Sequence, residues 1–67
     1  MNFNIECEQE EDGRWIAEVP DLPGVLAYGE TSARAISRVE ILALGVLAEQ
    51  LEHHETGPKT ISIVVPA

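Results

Sequence analysis

The sequence predicts an α+β domain of order β-β-β-α-β, two layers deep, with an antiparallel sheet and one long helix packed on one face. Three features predict it: alternation of apolar and polar residues near both ends, a corner rich in proline and glycine, and one long stretch of helical periodicity. The 67 residues leave room for one domain, spanning 1–67. A chain this short buries only about 60% of the surface its unfolded form exposes. Cys7 is alone, so no disulfide can reinforce the core, and self-association is the expected support.

From Asn2 to Glu8, Phe3, Ile5 and Cys7 fall on one side and Asn2, Asn4, Glu6 and Glu8 on the other, the pattern of a half-buried strand. Gln9 to Gly13 is polar and ends in Asp-Gly. Arg14 to Val19 alternates again, with Trp15, Ala17 and Val19 on one face, so the two runs are expected to form an antiparallel hairpin. Pro20 and Pro23 cannot donate backbone hydrogen bonds and restrict the residues before them, and with Gly24 they make a rigid corner. Val25 to Tyr28 reads as a third strand, stopped by Gly29 and sandwiched between the hairpin and the next element of the chain.

Thr31 suits a helix N-cap, and Glu30 beside it suits the positive end of the helix dipole. Ala35, Ile36, Val39, Leu42, Ala43, Val46, Leu47 and Leu51 then recur at helical spacing as a core stripe. The helix should run to about His54, with Gly57-Pro58 marking its end. Thr60 to Val65 alternates again as a fourth strand, placing Ile61, Ile63 and Val65 on one face.

Some apolar residues exceed what one sheet can cover. Ile41, Leu44 and Ala48 form a second helical stripe, and Ile16 and Val64 point away from the apolar sets of their strands. These five are the expected oligomer interface of a homodimer or homotetramer.

Twelve acidic against four basic residues give a formal charge of −8, which repels phosphate backbones and anionic membranes. Direct nucleic-acid binding is disfavoured. The charge serves either as a solvating surface or as an attractor for a basic partner. Met1 to Glu6 lacks the basic and apolar regions of a secretory signal, and no apolar run is long enough to span a bilayer, so a soluble cytoplasmic protein is expected.

Candidate chemistry is sparse. His53 and His54 are adjacent, so on a helix they diverge by about 100° and cannot share a metal. Glu10, Glu11 and Asp12 lack the ligand spacing of a calcium loop. Ser32, Ser37 and Ser62 stand in no nucleophile motif, and Cys7 lies on an apolar strand face, where a thiol is inert. No cofactor, metal site or enzymatic activity is expected.

The run from Glu11 to Val25, containing Val19-Pro20-Asp21-Leu22-Pro23-Gly24, and the run from Gly29-Glu30-Thr31 to Ala35 resemble the HicB family of antitoxins and antitoxin-like proteins. The resemblance covers almost the whole chain. It implies a partial RNase H-like fold and a role in neutralising a HicA-like toxin, a small basic mRNA-cleaving ribonuclease. Many members also carry a C-terminal DNA-binding segment; the sequence ends directly after the fourth strand, so operator binding is not expected. RNase H catalysis would need carboxylates clustered on the core strands to hold two metals, and no Asp projects from the third or fourth strand.

The expected toxin-binding residues are Glu8, Glu10, Glu11, Asp12, Glu18 and Asp21, acting by steric and electrostatic occlusion. Pro20, Pro23, Gly24, Gly29 and Thr31 take structural roles. The alternative is an orphan HicB-like domain, oligomeric or binding a small ligand, with no toxin partner.

Overall fold

The computed structural model describes residues 1–54 and 57–66. In chain order the elements are β1 (Asn2–Asn4), β2 (Glu6–Gln9), β3 (Trp15–Glu18), β4 (Leu26–Gly29), α1 (Ser32–His54) and β5 (Ser62–Val64). The fold is α+β, with one long helix and a small mixed sheet arrangement. None of the described helical residues form a segment long and apolar enough to cross a membrane.

The expected first strand is divided at Ile5. Its first half, β1, pairs with β5, and its second half, β2, pairs with β3. Ile5 donates its N–H to the Val64 carbonyl at 3.1 Å, carrying the β5 ladder one residue past β1.

The pairing is not wholly antiparallel, contrary to expectation. β2, β3 and β4 form an antiparallel sheet in that order, but β5 runs parallel to β1, with Phe3 opposite Ile63. Chain direction explains the difference. Two reversals leave β4 running with β2, and a helix that carries the chain back over the sheet returns the next strand in the direction of β4. Side-chain alternation reports faces and not direction, so it could not reveal this.

The expected third strand also sits differently. β4 is an edge of its sheet and is flanked by β3 alone among the described residues. Its outer side is partly covered from α1, where Arg38 donates from Nη1 to the Tyr28 carbonyl at 2.9 Å.

Local chemistry accounts for the connections. In the β2–β3 hairpin the Gly13 N–H bonds the Glu10 carbonyl at 3.0 Å, and Gly13 takes a φ of 92° that side-chain-bearing residues avoid. The corner is tied by Leu22 N–H to the Val19 carbonyl at 2.9 Å and Val25 N–H to the Leu22 carbonyl at 3.0 Å. It also tucks Leu22 into the core. Thr31 caps α1 as expected, its Oγ1 accepting the Arg34 N–H at 3.1 Å.

The core lies between α1 and one face of the strands. Ala35, Val39, Ala43 and Leu47 of the helix meet Phe3, Ile5, Ala17, Val19, Leu22 and Val25. Gly29 is required where the layers touch: a Cβ there would stand 2.5 Å from the Ala35 backbone nitrogen.

Two expected core residues lie outside. Leu42 is 47% exposed, lying outside the buried helix row of Ala35, Val39, Ala43 and Leu47. Val65 is exposed because β5 stops at Val64.

Candidate partner-binding face

The sheet has one covered face and one open face. Cys7, Trp15, Ala17 and Ala27 pack toward α1, so their neighbours along each strand project from the opposite side, which carries no helix among the described residues. Register sets these outward residues in two rows. Glu8, Ile16 and Tyr28 form one; Glu6, Glu18 and Leu26 form the other.

The three glutamates are exposed, Ile16 is half-buried, and Leu26 and Tyr28 are unusually exposed for large apolar side chains. Glu6, Glu8, Ile16, Glu18 and Pro66 are among the residues lining a shallow basin of about 480 Å³. Glu6 stands directly opposite Glu18. Cross-strand neighbours of this kind lie roughly 5 Å apart at Cβ, and like charges so placed destabilise the pair.

The hairpin tip adds a distinct arrangement. Arg14 donates from Nε to Asp12 Oδ2 at 2.8 Å and from its backbone N–H to Asp12 Oδ1 at 3.0 Å. The backbone hydrogen bond, and then the side-chain one, hold the Asp12 carboxyl below the usual range. The Arg14 guanidinium also lies over the Tyr28 ring, 4.6 Å from its centre. Asp12 is thus engaged within the chain, whereas Glu10 and Glu11 form no salt bridge among the described residues.

The six expected toxin-binding acids therefore separate. Glu8 and Glu18 share the open face, Glu10, Glu11 and Asp12 cap the hairpin end, and Asp21 lies in the corner at the other end of β3. Glu6 belongs with the first group and was not among the six, although its parity with Glu8 placed both on one side of the strand. Leu26 and Tyr28 were missed because only pairing register sets them beside the acids.

Comparison with family models, with curated proteins and with solved structures found no match to the chain.

The expected oligomer interface also splits. Ile41 and Leu44 are 67% and 52% exposed on α1, with Ala48 exposed beside them. Ile16 and Val64 lie on the sheet side away from the helix, so one flat contact cannot cover all five. Leu44, Leu47, Ala48 and Leu51, together with Ile61 and Ile63, line an apolar groove of about 510 Å³ between α1 and β5. Cys7 is half-buried, and burial pushes its thiol pKa up. No group of three or more His, Cys, Asp or Glu among the described residues is placed to hold a metal ion. His53 and His54 are exposed; His53 stands 3.8 Å from Glu49 on the next turn.

Proposed function

We propose that the open sheet face captures a small basic protein, and that the chain acts as a HicB-like antitoxin against a HicA-like, mRNA-cleaving ribonuclease. What supports this role is the register of the sheet. Three exposed carboxylates cluster toward the β2 side, next to a patch of Ile16, Leu26 and Tyr28 toward β4, an apolar surface bordered on one side by charge. Such a composition suits a protein partner: apolar side chains supply contact area, and the rim charges steer a cationic surface into register.

Glu6 and Glu18 strengthen the electrostatic case. Facing each other, they repel in the free chain, and a Lys or Arg from a partner placed between them converts that repulsion into attraction. A ribonuclease presents such cations because it must hold RNA phosphates, so occupation of this face blocks RNA access directly. Inhibition requires no chemistry from the antitoxin side.

The test begins with a search of the neighbouring reading frames for a short basic HicA-like protein, followed by co-expression of such a protein with this chain. Growth arrest by that protein alone, relieved by this chain and not by its Glu18→Lys variant, is the expected result. Persistent arrest despite well-expressed, folded chain, with no complex on co-purification, contradicts the role.

A further inference from the structure

We propose that the free edge of β4 docks an extended acidic segment of another protein, which joins the sheet as an added strand. The backbone is the first reason. Val19 donates its N–H to the Val25 carbonyl at 3.1 Å, so alternation turns the backbone groups of Ala27 and Gly29 toward β3 and those of Leu26 and Tyr28 outward. Arg38 meets the Tyr28 carbonyl, but the Tyr28 N–H and the Leu26 N–H and C=O have no bond among the described residues. An extended peptide laid along a sheet edge satisfies donors and acceptors alike.

Charge selects the kind of segment. The chain carries −8 and has four basic residues, of which Arg14, Arg34 and Arg38 gather about β4. Arg14 lies over the Tyr28 ring, Arg38 donates to the Tyr28 carbonyl, and Arg34 stands one turn before Arg38 on the same side of α1, beside the Gly29–Ala35 contact. Arg14 is paired with Asp12, whereas neither Arg34 nor Arg38 forms a salt bridge among the described residues, in a chain with twelve acids. Side chains of an added strand alternate between the two sides of the sheet. Those on the helix side meet Arg34 and Arg38, and those on the open side lie beside the exposed Leu26 and Tyr28. The segment that fits therefore alternates acidic and apolar residues.

The same features set aside other occupants. A nucleic-acid backbone brings phosphate oxygens that accept hydrogen bonds but nothing that donates to the Leu26 carbonyl, and the net charge repels it. A basic segment meets two arginines that no carboxylate neutralises. Pairing with β4 of a second copy aligns the arginines of both copies along one seam. Blocking the edge against pairing is the plainest use of Arg38, yet its bond covers a single outward carbonyl and leaves the Leu26 groups open. Capture of a basic protein on the open face uses charges of the opposite sign, so neither role depends on the other.

Amide hydrogen exchange of the labelled full chain, followed by nuclear magnetic resonance during titration with a short capped peptide of alternating glutamate and valine, tests the edge. At saturating peptide, exchange of the Leu26 and Tyr28 amides should slow by about tenfold, while the Ala27 amide, already turned toward β3, changes little. Added salt should weaken binding. Arg34→Glu should weaken it by roughly tenfold or more. That substitution leaves the Arg38 bond in place and suits the positive end of the helix dipole, so the helical circular dichroism should be unchanged. The corresponding lysine–valine peptide should bring no protection to Leu26 or Tyr28. Absence of protection at millimolar glutamate–valine peptide, equal protection by the lysine–valine peptide, or undiminished binding by folded Arg34→Glu would overturn the proposal. So would a single-stranded oligonucleotide that protects the two amides where the peptide does not.

Discussion

The open sheet face and the α1–β5 groove present exposed apolar side chains on opposite sides of one small domain, and they differ in what surrounds those side chains. On the sheet, Ile16, Leu26 and Tyr28 are bordered on one side by Glu6, Glu8 and Glu18; in the groove, leucines and isoleucines have Glu40 as their charged neighbour. The difference teaches that exposed apolar area by itself does not name a partner. Its charged neighbours bear on which kind of surface the face can meet.

Breaking the layer contact should abolish both faces together. Gly29→Val forces a side chain against the Ala35 backbone, and a loss of about 3 kcal/mol in urea unfolding is expected. In a domain this small that approaches the whole stability. A smaller but selective effect should follow Glu18→Lys. The association rate of a basic partner should fall by about tenfold at low salt, while folding stability rises by about 0.5 kcal/mol because Lys now faces Glu6. Opposite signs in stopped-flow binding and thermal melting would mark Glu18 as a functional and not a structural charge.

Thr31→Ala should lower stability by about 1 kcal/mol through loss of the cap to the Arg34 N–H, measurable by thermal melting, with no change in the relative use of the two faces. The smallest effect belongs to Asp12. Its carboxyl is held below the ordinary range in the folded chain, so its contribution is present at neutral pH and is lost as pH falls through that lowered pKa. Asp12→Asn should flatten the acid limb of a stability-versus-pH curve slightly; an unchanged limb would show that the Arg14 contact is without thermodynamic weight.

Much of the fold was legible because local chemistry set it. Asp12-Gly13 marked the hairpin, Pro20 to Gly24 the corner, and Thr31 the start of a helix that ends its described course at His54, as its periodicity indicated. Non-local features were hidden. The direction of β5, the split at Ile5 and the exposure of Leu42 depend on how the helix returns the chain and how many strands lie beneath it. The same limit governed the open sheet face: parity identified which acids share a side of one strand, but only pairing register brings Glu6 opposite Glu18 and Tyr28 beside Ile16.

The most direct test of partner capture on the open sheet face is an amide chemical-shift titration of the labelled chain with a small basic HicA-like ribonuclease. The largest changes are expected at Glu6, Glu8, Ile16, Glu18, Leu26 and Tyr28, with Ile41, Leu44 and Ala48 little altered. Changes concentrated on the helix stripe with the sheet signals unmoved would contradict the assignment of the sheet face to a basic partner.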